Sequence, residues 1–219
     1  MTNQIKVTGI YTDHIQPQHD LAHTHLDMLN IEHVFTKLHA TNSDTGEFQS
    51  KVWKEMVLEK ISFAIRELKS SPPDRLTIFT DMDVIPLQHY NNLIKYIQKH
   101  DICFMSEDEM YDIVNTGFIL TKTTSHVIKL FEEWYDMCCE EINSKHGKFK
   151  GNQPVLNNLL SVNKIYMKHK NFFPVNIITS KPMYITKESV ACHVIGTSGN
   201  EEKIKRMKRS IHVFNKKSI

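Results

Sequence analysis

"TIFTDMDVIPL", residues 77–87, decides how this chain is read. Strand-forming residues run straight into Asp81, Met82 and Asp83, then turn apolar again and reach Pro86. Residues i and i+2 of an extended chain point to the same side. Asp81 and Asp83 can therefore share one hard divalent cation, directly or through water. A cation held this way keeps open positions that suit phosphate oxygens. The competing reading is a pair of solvated turn aspartates, and the apolar flanks on both sides argue against it.

Outward from this stretch, strand and helix patterns alternate. "IKVTGIY" (5–11) reads as a strand, and Pro17 opens a helix through about Leu29. "IEHVFTKL" (31–38) reads as a second strand. Over 50–69, Val52, Trp53, Met56, Val57, Ile61, Ala64, Ile65 and Leu68 recur at helical spacing, and Pro72-Pro73 stops the helix. "LTIFT" (76–80), "ICFM" (102–105) and "GFILT" (117–121) read as strands, with a short helix marked by Leu93, Ile94 and Ile97. Val127, Ile128, Phe131, Trp134, Tyr135 and Cys138 mark a long helix that Thr124 or Ser125 can cap. A helix near 153–161 and strands near 165–168 and 190–195 complete the expected core. The alternation predicts one α/β domain over 1–219, with a mostly parallel mixed sheet flanked by helices.

Composition bounds the function. The chain has 219 residues, 40% hydrophobic and 24% charged, which suits one domain with a full core. With 27 Lys+Arg against 25 Asp+Glu, no global field calls for nucleic acid. No apolar run approaches the roughly 18 residues of a spanning helix, and no signal segment opens the chain. Cys103, Cys138, Cys139 and Cys192 form neither a disulfide framework nor a zinc pattern. The expected compartment is a reducing cytoplasm, or the host's if the chain is viral.

In an open α/β sheet, ligands sit at the carboxyl ends of the strands, where Asp81 and Asp83 fall. A helix that precedes a strand runs antiparallel to it, so the start of helix 50–69 lies near that end, with Lys51 and Lys54 in reach of a phosphate. "HDLAH" (19–23) imitates a zinc-protease motif with Asp in place of Glu. No third ligand or base accompanies it in the sequence, and a solvated helix face is the simpler reading.

"TIFTDMDVIPL", "NTGFIL" (115–120), "GNQPVLN" (151–157) and "ACHVIGTSG" (191–199) together resemble, in order and spacing, the nucleotide-diphospho-sugar transferases of the glycosyltransferase A-type fold. The similarity is greatest to the small members, some of them carried by large DNA viruses, and spans nearly the whole chain. The resemblance implies a Rossmann-like glycosyltransferase A-type domain that moves a sugar, from a UDP-sugar first of all, to a hydroxyl of a glycan, protein or small molecule. It implies Mn²⁺ or Mg²⁺ at Asp81 and Asp83, with Asp81 also near the ribose. His193 looks like the third metal ligand, and an imidazole among carboxylates favours Mn²⁺. Gly196, Gly199 and Lys203 or Lys205 would approach the diphosphate. Tyr11, Thr12 and Asp13 would meet the nucleobase, and Asn115 and Gly117 the donor sugar. Asn152 and Gln153 stand where many relatives carry Asp-Gln. Asn cannot act as a base, and Asn152 can instead serve as a helix cap.

Two mechanisms stay open. An inverting enzyme needs a carboxylate base, for which Glu107, Asp108, Glu109 and Asp112 of "SEDEMYD" are available. A retaining enzyme could use the departing phosphate as base, with Gln153 near the anomeric carbon. Three rivals remain. A haloacid-dehalogenase-type phosphatase would use Asp81 as nucleophile, but places its motif on the first strand. A nucleotidylyltransferase needs a glycine-rich, Arg-containing loop that "GIYTDHIQPQ" lacks. A domain that binds nucleotide sugar without turnover is the non-enzymatic alternative. The basic "KIKRMKRSIHVFNKK" (203–217) reads as a solvated helix and tail.

Overall fold

Leu76–Thr80 is buried at every position, as a strand covered on both faces must be. Around it the computed structural model, which describes residues 5–38, 50–107, 113–144, 149–196 and 199–218, builds two sheets and their helices. In chain order the elements are β1 (Lys6–Tyr11), α1 (Gln16–Met28), β2 (His33–Lys37), α2 (Lys51–Ser70), β3 (Leu76–Thr80) and β4 (Val84–Pro86). There follow α3 (Ile94–Ile97), β5 (Ile102–Ser106), β6 (Val114–Lys122), α4 (Ser125–Asn143), α5 (Asn152–Val162) and α6 (Lys164–His169). The chain ends with β7 (Lys170–Phe172), β8 (Ile178–Thr179), β9 (Ala191–His193) and α7 (Asn200–Lys217).

The main sheet runs β2-β1-β3-β6-β5-β7. β1 pairs parallel with β2 and β3, and β5 parallel with β7, while β6 lies antiparallel between β3 and β5. Strand alternation divides the core between the two faces. Val7, Ile78 and Leu120 pack with Tyr90 and Phe173 on one face. Phe79, Phe104 and Ile119 pack against Ile61 of α2, Trp134 of α4 and Leu156 of α5 on the other. Ser50 caps α2 by accepting from the Trp53 amide at 3.0 Å, and Thr124, not Ser125, caps α4.

A second, three-stranded sheet, β4-β9-β8, has no counterpart in the expected architecture. Its strands are two or three residues long, too short to show a period. Ile85 and Cys192 from this sheet pack with Ala22 of α1 and Met207 of α7 in a third cluster. The strand expected near 165–168 is instead the helix α6. Asn163 starts it by accepting from the Ile165 amide at 3.1 Å, and of the apparent alternation only Tyr166 is buried. The extended segment begins at Lys170.

Gly9 marks a place where the backbone itself is the packing partner. A Cβ there would lie 2.4 Å from the Thr80 carbonyl oxygen and 3.0 Å from the Met82 methyl. Gly9→Ala should therefore cost about 1–3 kcal/mol, the usual range for overpacking, read as a lower midpoint in denaturant melts. An unchanged midpoint would show that β1 and β3 can part without penalty.

Candidate active site

β3 ends at Thr80, and the chain turns at once. The Val84 amide donates to the Asp81 carbonyl at 3.3 Å, so Asp81–Val84 is a tight turn and not the extended segment expected. Met82 is buried and reaches the space above Gly9. The Asp81 amide donates to the Gly117 carbonyl at 2.9 Å, which ties the turn to β6.

Register then brings in a residue from the far end of the chain. β4 pairs antiparallel with β9, Val84 opposite His193, and the Val194 amide donates to the Asp83 carbonyl at 2.9 Å. His193 Nε2 lies 3.1 Å from Asp83 Oδ1. One ligand atom from each of Asp81, Asp83 and His193 falls within 4.8 Å of the others. The expected trio is thus assembled, though only folding could bring the histidine there.

Asn115 sets the histidine's orientation. Its Nδ2 donates to Glu107 Oε1 at 2.9 Å, and its Oδ1 accepts from the Gly117 amide at 2.8 Å. The same Oδ1 lies 3.1 Å from His193 Nδ1. An oxygen can only accept, so Nδ1 donates to it, and Nε2 is the ring nitrogen left facing Asp83. This is the outer-shell arrangement that metal-binding histidines use. The donor set of two carboxylates and one imidazole nitrogen fits Mn²⁺.

Two lysines face the carboxylates. Lys203 Nζ lies 2.6 Å from Asp83 Oδ2. Lys60 Nζ lies 2.5 Å from Asp81 Oδ1 and donates to the Thr116 carbonyl at 2.9 Å. Burial alone would push the Asp83 carboxyl up; the imidazole of His193 and the ammonium of Lys203 outweigh it and hold the group well below the usual carboxylate range. Of the expected lysines, Lys203 arrives and Lys205 does not, being exposed near Glu202. Lys51 pairs with Glu55 on the surface, and among the described residues it is Lys60, not Lys54, that contacts Asp81. A signal for Lys60 existed in the sequence: it stands inside the apolar stripe of Trp53, Met56, Val57 and Ala64.

A cleft of about 170 Å³ is lined by Ile10, Ile15, Gln18, Asp81, Met82, Asp83 and Lys203. Gln18 Oε1 is buried without a partner among the described residues, an acceptor that the sequence does not single out. A cavity of about 340 Å³ shares Ile10, Ile15 and Asp81 with the cleft and extends past Lys60 to Trp53 and Asn152.

The other expected residues distribute around this centre. Tyr11 stacks on His19 with ring centroids 3.9 Å apart. Asp13 pairs with Lys37 at 2.5 Å, and the Thr12 carbonyl accepts from the Ile15 amide at 3.1 Å. Gln153 Oε1 accepts from the Thr116 amide at 3.2 Å, beside Asn115. Asn152 is the first residue of α5 and not its cap; Gly151 occupies the cap position at φ 121°, and the Asn152 carbonyl accepts from the Trp134 indole at 2.8 Å. Gly196 adopts φ 66°, a conformation that favours glycine, just beyond β9. Asp108, Glu109 and Asp112 lie outside the described residues. The space above Gly117, expected to admit a ligand, is filled by the ring of His193.

The sequence profile of the family described as nucleotide-diphospho-sugar transferase matches residues 20–207. No curated protein matches the chain significantly in sequence. Among solved structures, the chain is similar to a glycosyltransferase involved in glycosylation of the major capsid of PBCV-1, at 13% identity over 94% of this chain and 98% of that one, TM-score 0.62. It is also similar to the galactosyltransferase LgtC, at 11% identity over 99% and 97%, TM-score 0.56. The apo glycosyltransferase GlyE of Streptococcus pneumoniae TIGR4 aligns at 14% identity with TM-score 0.60, the match taking in 98% of this chain and 63% of GlyE. These similarities establish a glycosyltransferase A-type fold, and the profile match sets aside the phosphatase reading of the D-x-D turn.

Proposed function

The chain belongs to the nucleotide-diphospho-sugar transferase family, a family of enzymes, and on that premise we propose a metal-dependent transfer of a sugar from a UDP-sugar to an acceptor hydroxyl. The observation that carries the metal is the convergence of Asp81, Asp83 and the Asn115-oriented Nε2 of His193. Mn²⁺ held there, or Mg²⁺ in its place, supplies Lewis-acid stabilisation of the charge that develops on the leaving nucleoside diphosphate.

The chain's own groups do the rest. Lys203 and Lys60 already face the two carboxylates, and the same ammonium groups can turn to phosphate oxygens when a diphosphate arrives. Gly196 allows the backbone to approach the diphosphate. Tyr11, Thr12 and Asp13 close the nucleobase end, with Lys54 and Asn152 bordering the donor from α2 and α5. The bond between the anomeric carbon and the diphosphate oxygen breaks, and the acceptor oxygen bonds to that carbon.

The acceptor proton has two destinations. Glu107 is a carboxylate bonded directly to the Asn115 amide that also holds His193, and it can serve as base, as can Asp108 beside it in sequence. In the retaining alternative the leaving phosphate takes the proton, and the Gln153 amide steadies the anomeric centre. Gln153 is fixed against β6 by the Thr116 amide, which favours the retaining reading.

Calorimetry with UDP should show tighter binding in Mn²⁺ than in chelator, and a panel of nucleotide sugars should show Mn²⁺-dependent hydrolysis or transfer. Equal UDP affinity in chelator would overturn the metal assignment. Tight, Mn²⁺-dependent binding of every donor without turnover of any would leave a binding domain in place of an enzyme.

A further inference from the structure

Among the described residues, three groups of His and Asp side chains come close enough to share an ion. One is the trio above. A second, Asp101, His126 and His169, stacks its two rings nearly parallel, 16° apart at 4.7 Å, so their in-plane lone pairs do not converge. The third lies on the other side of α1 from the cleft.

There, His23 Nδ1 stands 3.1 Å from Asp27 Oδ2, and His33 Nε2 stands 3.7 Å from Asp27 Oδ1. The two rings meet at 87° with centroids 4.6 Å apart. His23 and Asp27 are one helical turn apart on α1, so they share a face. His33 opens β2 and pairs with Val7, while Lys37 at the far end of β2 pairs with Tyr11. The cluster is therefore about four strand residues, ~13 Å, from the nucleobase end of the sheet.

The decisive contact is behind His33. Its Nδ1 lies 2.7 Å from the Ile31 carbonyl oxygen. A carbonyl only accepts, so Nδ1 donates to it, and Nε2 is the ring nitrogen left facing Asp27. The ring is largely buried, with 9% of its side chain exposed, so packing holds that orientation. A nitrogen and a carboxylate oxygen 3.7 Å apart are too far for a hydrogen bond. The gap leaves room for an ion between them. Bonds of ~2.0–2.1 Å at tetrahedral angles place two ligand atoms ~3.4 Å apart; each histidine nitrogen stands near that distance from its own Asp27 oxygen, and one ligand atom from each of the three residues lies within 4.8 Å of the others.

We propose that His23, Asp27 and His33 form a binding site for a divalent transition-metal ion of the zinc class, separate from the site at Asp83. Two imidazoles and one carboxylate suit zinc over Mg²⁺ or Ca²⁺, and the fourth position is left to water. Bound there, the ion joins the second half of α1 to the sheet-edge strand β2. It completes the histidine-rich segment that looked in sequence like a protease motif, but with His33 in the place of His19. His19 is instead buried against Tyr11 and Phe35.

The test is zinc titration of the whole protein against a chromogenic chelator, together with thermal melts with and without zinc. Wild type should take up a zinc equivalent that His23→Ala and Asp27→Asn lose or weaken by at least the roughly 10–100-fold that loss of even an outer-shell partner costs. His193→Ala should retain that equivalent. His23 is about half exposed, so its truncation should fold normally, and circular dichroism checks this. The zinc-induced rise in melting temperature should vanish in His23→Ala, while UDP binding in Mn²⁺ stays at the wild-type level. Zinc affinity and melting shift unchanged in both His23→Ala and Asp27→Asn would overturn the proposal, whatever the fate of the Mn²⁺ site.

Discussion

Asp83→Asn should lower sugar transfer by about a thousandfold and leave the protein folded. Lewis-acid stabilisation of a leaving diphosphate is worth several kcal/mol, and each ~1.4 kcal/mol is a factor of ten in rate. Asp83 is the carboxylate that both His193 and Lys203 face. An amide of the same shape keeps the turn but gives up the charge the metal needs. The loss should appear in kcat/KM and in Mn²⁺ affinity together. A variant retaining more than a tenth of wild-type activity at saturating Mn²⁺ would remove Asp83 from the metal shell.

The same substitution has a pH signature. The neighbours of Asp83 hold its carboxyl below its ordinary value despite burial. A carboxylate whose folded value is depressed contributes stability that is complete above its unfolded value, ~3.9. That contribution disappears as pH falls through the folded value. Melting temperatures of wild type and Asp83→Asn should therefore differ at pH 7 and converge in strong acid. Any loss of activity between pH 7 and pH 5 must come from another group, because Asp83 stays ionised through that window.

Much of this architecture was legible from local pattern. The stripe from Val52 to Leu68 is long and strictly periodic, and α2 forms as read. "LTIFT" is flanked by turn residues, and β3 has the expected bounds. What escaped was set by contacts between distant segments. β4 and β8 are too short to carry a period, and they exist because they pair with β9, which falls within the strand expected near 190–195. The pairing of Val84 with His193 brings the histidine to Asp83, and no spacing in the chain encodes that register. The family resemblance supplied His193, not the residues' own pattern. Lys60 was passed over because a lysine in an apolar stripe reads as a side chain extending to solvent, whereas here it ends on Asp81 and the Thr116 carbonyl. In the sequence Asn115 is expected only beside the donor sugar. Its contacts also make it the group that orients His193, a role visible only once Glu107, Gly117 and His193 are seen around it.

Gly117→Ala should disable the proposed metal centre as thoroughly as removing His193. A Cβ at Gly117 would sit 2.0 Å from Cε1 of the His193 ring, 2.6 Å from Nδ1 and 2.7 Å from Nε2, separations that no packed atoms sustain. The ring has nowhere to withdraw. Asn115 holds its Nδ1, the strand beneath it is buried throughout, and only 6% of its side chain is exposed. Gly117 cannot retreat either, since its amide donates to Asn115 and its carbonyl accepts from Asp81. The collision must therefore be relieved by moving the imidazole off Asp83 or by displacing β6, at about the 1–3 kcal/mol typical of overpacking. Mn²⁺-dependent UDP affinity should fall to the level of His193→Ala, and the melting temperature should drop below it. The double variant Gly117→Ala/His193→Ala separates the causes. With the ring gone, the added methyl has room, so stability should recover toward that of His193→Ala alone while metal-dependent binding stays lost. If Gly117→Ala keeps wild-type stability and Mn²⁺-dependent affinity, the histidine does not rest against β6 in the active enzyme, and its place in the metal shell goes with it.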